Sequence, residues 1–306
     1  MTMATRQATS AAARTAATPA WHRAGMGRRL AERVGRRTVL WLGIAVFVVI
    51  TGFPVYWMII TALMTNQQLY NPTSFRLWDL PFVFNHVTYL FTQTQYLRWL
   101  GNTYLIGAVD AAVTLAIGIP AAYGLARMRL RGAQTIAVLL FMTYLISPSL
   151  LFIPLSKVLA TLGLINSDWG LMLVYPTITI PFCTWLLTGF FASLPKDLED
   201  AAKVDGCGTW GAVWRVVLPL SQAGILTVVI FAFTLTMQDF IYMLSFISSS
   251  QLMPVNLGVV TQLIRGDIFY WGSLMAGALI AGLPIAIIYN MFLDKFVSGL
   301  TRGAIK

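Results

Sequence analysis

The sequence has very few of the side chains that carry chemistry in enzymes and metalloproteins. Its 306 residues include only two cysteines, Cys183 and Cys207, and two histidines, His22 and His86, which lie far apart in the chain. Two isolated cysteines fit neither a disulfide framework nor a metal site. The sequence also contains no nucleophile with a neighbouring base and no glycine-rich phosphate loop. We therefore predict no enzyme activity, no catalytic residues, no metal site and no cofactor bound by this chain.

Charged residues are equally scarce. They make up 10% of the chain, whereas 58% of the residues are hydrophobic, and the mean hydropathy is +0.73. A soluble domain carries about 25% charged residues, and a run of roughly 20 apolar residues is long enough to cross a bilayer as a helix. We predict an all-α, polytopic membrane protein with six transmembrane helices. The predicted spans are 39–64, 101–126, 134–157, 169–192, 219–245 and 271–293.

The net charge of +10 comes from basic residues that are unevenly distributed. With the N-terminus inside and six crossings, 17 of the 21 lysines and arginines fall in cytoplasmic segments. This asymmetry agrees with the positive-inside rule. We predict that both termini are cytoplasmic and that the basic charge lies beside membrane lipid rather than binding nucleic acid.

The first 38 residues differ in composition from the rest of the chain. Residues 1–37 contain eight arginines and a single acidic residue, Glu32. We predict a disordered, basic cytoplasmic tail at 1–38 and a transmembrane domain at 39–306. An organelle transit peptide is the alternative interpretation, because those peptides are also basic and poor in acidic residues.

One stretch in the second half, residues 194–219, is rich in charge, and we call it the charged segment. Lys196 and Asp200 are four residues apart, as are Glu199 and Lys203, so each pair can meet on a helix surface. Glycines at 206 and 208 are expected to end this helix, and a second short helix runs from about residue 209 to Pro219. The pattern predicts a helix-turn-helix outside the membrane. A solvated loop with incidental charge pairs is the alternative.

The spacing within the charged segment resembles the EAA motif of bacterial ABC importer permeases. That motif reads E-A-A, three residues, G, nine residues, I-x-L-P. Here the sequence reads D-A-A at 200–202, glycine at 206 and V-x-L-P at 216–219, so aspartate replaces glutamate and valine replaces isoleucine. The C-terminal residues VSGLTRGAIK also resemble the end of carbohydrate-importer permeases of the maltose type, the shorter of their two permeases.

This resemblance implies a transmembrane subunit of the bacterial cytoplasmic (inner) membrane that moves a carbohydrate or polyol. In the family, the EAA segment is a coupling helix that docks on an ATPase subunit. Implied partners are a second permease, usually a different chain, two ATPase subunits that bind ATP and magnesium, and an extracytoplasmic solute-binding protein. The residues expected to couple to the ATPase are Glu199, Asp200, Ala201, Ala202, Asp205 and Gly206.

Two acidic residues lie inside predicted spans, where ionisable groups are costly and are candidates for function. Asp110 lies near the predicted midplane of the second span, and Asp239 lies towards the outer end of the fifth. The surrounding sequence FTLTMQDFIYML resembles a W-N-[DE]-F segment of carbohydrate permeases, with Met and Gln in place of Trp and Asn. The candidates for lining a substrate path are Asn102, Thr103, Asp110, Gln238, Asp239 and Tyr242.

Other interpretations of these residues stay open from the sequence. The first is that Asp110 is a structural group bonded to neighbouring backbone. The second is an ion-coupled secondary transporter that uses Asp110 and Asp239 as proton or sodium relays, although no clear second repeat half is found. A membrane enzyme is the third, but apart from the charged segment the sequence shows no clustered catalytic groups at the membrane surface.

Overall fold

The computed structural model describes residues 20–71, 83–128 and 130–304, with side chains described from residue 35 to residue 293 in these ranges. Helices form nearly all of the secondary structure. The exception is a short antiparallel hairpin, in which β1 (Ile264–Arg265) pairs with β2 (Ile268–Phe269). The fold confirms the predicted all-α class. The C-terminal residues 305 and 306, and the side chains of the family-like C-terminal tail, lie outside the described part.

The helices follow one another along the whole described chain. Their bounds are α1 Ala20–Leu63, α2 Asn66–Tyr70, α3 Asn85–Gln93, α4 Tyr96–Arg127, α5 Ala133–Tyr144, α6 Pro148–Thr161, α7 Asp168–Val174, α8 Pro176–Ser193, α9 Asp197–Val204, α10 Thr209–Ala212, a π-helical turn Val213–Val217, α11 Leu218–Leu220, α12 Gln222–Gln238, α13 Ile241–Phe246, α14 Val255–Leu263 and α15 Trp271–Ala304.

Four helical segments are long and apolar enough to cross a membrane: Gly35–Leu63, Tyr96–Arg127, Asp168–Ser193 and Trp271–Leu293. Two further pairs of helices pass the same test together but are sharply bent between their members. The described chain thus has six candidate spans when each bent pair counts as one. This agrees with the predicted polytopic membrane fold.

The third predicted span, 134–157, is not a straight helix. α5 and α6 meet at an angle of 90°. Pro148 begins α6, and a proline disfavours helical backbone at the residue before it and removes a backbone donor. The bend therefore lies at the residues between Tyr144 and Pro148.

The fifth predicted span, 219–245, needs correction at both ends. α12 begins at Gln222, after a bend of 78° from the helical arm that precedes it. It ends at Gln238, because Asp239 adopts an extended backbone with ψ of 140°. The Asp239 carboxylate accepts a hydrogen bond from the backbone amide of Tyr242 at 3.1 Å. An aspartate that bonds the amide three residues later starts a new helix rather than continuing the old one.

The chain divides into two compact units, Met1–Trp57 and Met58–Lys306. In the first unit, α1 begins at Ala20, so residues 20–38 are helical and differ from the predicted disordered tail. Much of this stretch consists of alanine, arginine and leucine, which are strong helix formers. The remaining tail residues, 1–19, lie outside the described chain.

The second unit is built on α4, which packs along α8 and α12. Two apolar clusters fill its interior. The first contains the fully buried rings of Tyr96, Trp99 and Tyr242. The second contains Tyr123 and Phe191, together with apolar residues of the π-helical turn. The end of α4 and the charged segment are thus parts of one packed cluster.

Gly258 lets α14 pack directly against the Trp99 ring. A Cβ atom at Gly258 would lie 2.3 Å from the Trp99 ring carbon Cδ2, and the Trp99 ring is buried and donates its Nε1–H to the Ser250 carbonyl at 2.7 Å. We expect Gly258→Ala to lower the free energy of unfolding by about 1–3 kcal/mol, because the buried ring has to move.

Thermal unfolding of the purified protein in mild detergent, followed by size-exclusion chromatography after heating, measures this effect. Gly101→Ala is the matched control, because it is a helical glycine at which an added Cβ would have no atom within 4 Å. Equal melting temperatures for the two variants would contradict the packing described here.

Candidate functional site

The charged segment forms two helical arms joined by a tight turn. The first turn of α9 carries Asp197, Glu199 and Asp200, where negative charge is favoured by the helix dipole. Gly206 then adopts φ of 87°, and its amide donates to the carbonyl of Lys203 at 3.1 Å. Glycine takes this left-handed conformation at no steric cost. The chain therefore turns where the glycine spacing predicted, and α10 begins three residues later.

The predicted coupling residues lie on two opposite faces of α9 and the turn. Glu199 and Ala202 are buried against the rest of the second unit. The other four, Asp200, Ala201, Asp205 and Gly206, are exposed. The structure thus separates an inward face, which fixes the helix, from an outward face, which is free to bind.

Large apolar side chains lie on the outward side of the charged segment. Val204 is 88% exposed, Trp210 58% and Trp214 69%. Exposed apolar side chains of this size are typical of surfaces that interact with another molecule. They share the segment with the small residue Ala201, which allows close approach.

The charge pairs within the segment differ from those predicted. Lys203 Nζ lies 3.5 Å from Asp200 Oδ1, an exposed pair three residues apart. The predicted pair of Glu199 with Lys203 is wrong, because Glu199 points inward. Its Oε1 atom lies 2.9 Å from Nε of Arg127, and both side chains are almost fully buried. The buried guanidinium attracts the carboxylate more strongly than an exposed lysine would.

Arg127 and Tyr123, both in the last turns of α4, complete this contact. The Tyr123 hydroxyl donates to Oε2 of Glu199 at 3.1 Å. Arg127 also donates from Nη2 to the carbonyl of Leu194, just after α8, at 2.8 Å. We call this arrangement of Tyr123, Arg127 and Glu199 the clamp. It fastens the start of α9 and the end of α8 to the end of α4.

Asp110 lies fully buried in α4 and links three helices. Its Oδ1 accepts a hydrogen bond from the hydroxyl of Thr179 in α8 at 2.9 Å. Its Oδ2 accepts one from Thr236 in α12, also at 2.9 Å. A third hydroxyl, that of Thr114, lies 2.7 Å from the hydroxyl of Thr179. Each carboxylate oxygen thus accepts a hydrogen bond from a hydroxyl on a different helix.

Asp239 is the centre of a second polar cluster. Its Oδ2 accepts from the hydroxyl of Tyr175 at 3.0 Å as well as from the Tyr242 amide. The rings of Tyr175 and Tyr242 lie 6.3 Å apart, and the buried Tyr242 hydroxyl has no hydrogen-bond partner within the described residues. Thr179 follows Tyr175 by one helical turn, so the Asp110 and Asp239 clusters are neighbours.

The other predicted path residues have different surroundings. Asn102 donates to the carbonyls of Gln251 and Met253, at 2.9 and 3.2 Å. The Thr103 hydroxyl accepts from the amide of Val255 at 2.7 Å. Both residues therefore hold the loop before α14, and their place on a substrate path stays a prediction. Gln238 is exposed at the end of α12. The structure brings Asp110, Asp239 and Tyr242 together, places Gln238 directly before Asp239, and leaves Asn102 and Thr103 at the loop before α14.

A separate cavity of about 380 Å³ lies between α3 and the start of α15. His86 lines it, and the His86 Nε2 atom lies 2.8 Å from the Met64 carbonyl. Burial lowers the pKa of His86 below its usual value, and the hydrogen bond to Met64 offsets part of this shift. Within residues 20–71, 83–128 and 130–304 no three His, Cys, Asp or Glu side chains lie together as a metal site would need.

Sequence reasoning missed the partners of the acidic residues. In the sequence, Arg127 is only one of the basic residues of the cytoplasmic segments, and no pattern marks Tyr123 or Tyr175. The threonines at 114, 179 and 236 were also overlooked. Hydroxyl side chains inside apolar spans are a usable signal, because they can satisfy a buried carboxylate, but their spacing in sequence does not tell which helices meet.

Comparisons with known proteins agree with this architecture. Residues 115–302 match the family described as "Binding-protein-dependent transport system inner membrane component". The chain is 34% identical over 255 residues to the sulfoquinovosyl glycerol transport system permease protein SmoH of Agrobacterium fabrum, covering 83% of this chain and 88% of that protein. It is 28% identical over 277 residues to the trehalose/maltose transport system permease protein MalG of Thermococcus litoralis, covering 90% and 99%.

A solved structure shares the fold. One chain in the crystal structure of a bacterial ABC transporter involved in the import of the acidic polysaccharide alginate matches with a TM-score of 0.72. The match has 17% sequence identity and covers 88% of this chain and 98% of that chain. The helical arrangement is thus that of an ABC transporter chain, and the matched family spans more than half of the sequence. This chain belongs to the family of inner membrane components of binding-protein-dependent transport systems, the permease subunits of ABC importers.

Proposed function

We propose that this chain is the permease subunit through which an ABC importer moves a carbohydrate or polyol into the cytoplasm, driven by ATP hydrolysis on partner subunits. The outward face of the charged segment carries the proposal. An exposed small residue, Ala201, is flanked by Asp200 and accompanied by the exposed rings of Trp210 and Trp214. This combination suits docking into a cleft on an ATPase subunit, where aromatic side chains often anchor an interface.

The remaining partners follow from the same proposal. Two ATPase subunits bind ATP and magnesium beneath the membrane, one against this chain and one against a second permease, which is usually a different polypeptide. A solute-binding protein delivers substrate from outside. The distribution of basic residues supports cytoplasmic termini and a cytoplasmic charged segment in the bacterial inner membrane.

The substrate class rests on the relatives and on the polar interior. Two relatives are named for sulfoquinovosyl glycerol and for trehalose or maltose, all of which carry many hydroxyl groups. The cluster of Asp239, Tyr175 and Tyr242 offers a carboxylate, hydroxyls and aromatic faces close together. Such groups suit the hydroxyls and ring faces of a sugar, and we propose Asp239 and Tyr242 as path residues.

The competing proposal is an ion-coupled transporter that uses Asp110 and Asp239 as relays. Both oxygens of Asp110 are occupied by hydroxyls from α8 and α12, and the residue is fully buried. A relay has to exchange protons or ions with water, and this geometry instead favours a link between helices. We therefore propose a structural role for Asp110, within the importer.

Ala201 provides a test of the docking surface. We expect Ala201→Trp to reduce the ATPase that copurifies with this chain by about tenfold or more, because a bulky side chain disrupts a closely packed interface. The measurement is quantitative mass spectrometry of tagged complexes purified in mild detergent.

The matched control is Ala160→Trp, at an exposed position in α6. It adds the same side chain away from the charged segment and is expected to leave ATPase recovery unchanged. Recovery of normal ATPase amounts with Ala201→Trp would contradict docking at this face.

Asp110→Asn separates the two transport mechanisms. An asparagine keeps one acceptor and gains donors, and the threonine hydroxyls can rotate to accept from it. Because one neutral hydrogen bond contributes about 1 kcal/mol, we expect the rate of solute uptake to stay within about threefold of the wild-type rate. A proton or sodium relay would instead lose uptake completely.

Uptake is measured in cells with a radiolabelled sugar found by screening the solute-binding protein. Asp110→Leu serves as the comparison, because it leaves two buried hydroxyls facing an apolar side chain and should lower the amount of folded protein. Loss of uptake in Asp110→Asn with normal folded protein would refute the structural role.

A further inference from the structure

The clamp lies between the charged segment and the transmembrane core, and nothing in the docking proposal uses it. Glu199 has an exposed neighbour on either side, Leu198 and Asp200, but is itself 5% exposed. It therefore faces away from any partner bound to the outward face. Its contacts are with α4, a helix long and apolar enough to span the membrane.

Each member of the charged pair in the clamp also suits the helix end at which it lies. Glu199 is in the first turn of α9, and Arg127 is in the last turn of α4. Negative charge is favoured at a helix N-terminus and positive charge at a C-terminus. The two helix ends thus present opposite charges to each other, and the ion pair of 2.9 Å forms between them.

The clamp joins three elements through a single guanidinium group. Arg127 binds the Glu199 carboxylate in α9 and the Leu194 carbonyl at the end of α8. Tyr123, one turn earlier in α4, binds the second carboxylate oxygen. Because the carboxylate is held at both oxygens, α9 cannot turn or slide relative to α4 without breaking a buried charged contact.

The same helix α4 carries Asp110, which bonds to α8 and α12. Asp110 and Arg127 are 17 residues apart, or roughly 25 Å along a helix. One continuous helix, which contains Pro120 between these two residues, therefore connects the charged segment to the polar cluster in the interior.

We propose that Arg127 and Tyr123 are positioning residues that transmit movement of the charged segment into α4 by way of Glu199. The inference rests on the proposed function, since the movement originates in the ATPase. Without the clamp, the ATPase still docks on the outward face and hydrolyses ATP, but its cycle is no longer communicated to the membrane helices.

The test uses the complete complex of permeases and ATPases, reconstituted in lipid nanodiscs. The readout is the factor by which the solute-binding protein, purified with its native solute, stimulates ATP hydrolysis, measured by phosphate release. For Glu199→Gln and Arg127→Gln we expect this factor to fall by about tenfold, because each leaves a buried charge without its partner. The ATPase should still copurify in normal amount.

The reciprocal double variant, Glu199→Arg with Arg127→Glu, tests whether the pair itself matters. It restores opposite charges, although each now opposes its own helix dipole. We expect partial recovery of the stimulation relative to both single variants. If the double variant assembles normally but the stimulation does not recover, the proposal is overturned and the pair has only a packing role.

Two milder variants cover the case in which the single variants fail to assemble. Tyr123→Phe removes one hydroxyl and leaves the ion pair of Glu199 with Arg127 in place, so it should lower the stimulation by only about threefold, the size of one ordinary hydrogen bond. Arg127→Lys keeps the charge and should retain more stimulation than Arg127→Gln. Lys157→Gln, an exposed cation in α6, is the control and should behave like the wild type.

The outcomes distinguish this inference from the proposed function. If the wild-type complex lacks an ATPase, or its hydrolysis does not respond to the binding protein, the proposed function fails. If the wild type responds and the clamp variants, including Tyr123→Phe, respond equally well, the importer proposal stands and the clamp proposal is overturned.

Discussion

A polar group held among apolar side chains must find its hydrogen-bond partner within the protein, because no water is available to replace it. In the second unit, three carboxylates meet this requirement through contacts between helices. Asp110 accepts hydrogen bonds from hydroxyls of α8 and α12, and Asp239 accepts one from the Tyr175 hydroxyl. Glu199 accepts one from the Tyr123 hydroxyl and forms an ion pair with Arg127. Each of these contacts fixes one helix relative to another. Removing one partner leaves a buried polar group unpaired, which lowers the stability of the fold. These contacts therefore fix the relative positions of the helices as well as holding them together.

These contacts give the two faces of the charged segment different surroundings. The inward face is held by an ion pair with almost no exposure, and the outward face carries exposed apolar rings. The proposed importer requires both features, because a docking surface that was loosely attached to α4 would follow the ATPase without moving the membrane helices. The arrangement explains why adjacent residues such as Glu199 and Asp200 have opposite surroundings.

Much of this fold is predictable from the sequence, for identifiable reasons. Long apolar runs and the glycine turn at Gly206 depend on local chemistry, and helices form within all six predicted spans, although the third and fifth spans are bent. The bend before Pro148 follows from proline geometry. The break at Asp239 was missed, because it depends on a side chain that caps the next helix. The Glu199 pairing was predicted wrongly, since a partner 72 residues earlier in the chain cannot be inferred from spacing within one helix. The roles of the predicted site residues stay predictions.

The π-helical turn Val213–Val217 sets the rotational phase of the charged segment. A π turn holds one residue more than an α turn in the same rise, and one residue corresponds to a rotation of about 100° in a helix. Trp210 therefore points about a quarter of a circle away from the direction that an uninterrupted α-helix leading into Leu218 would give it. The extra residue thus rotates the helical arm that carries Trp210 about its axis, relative to the helix that follows. Segment length, and not only side-chain identity, determines which way the exposed rings face.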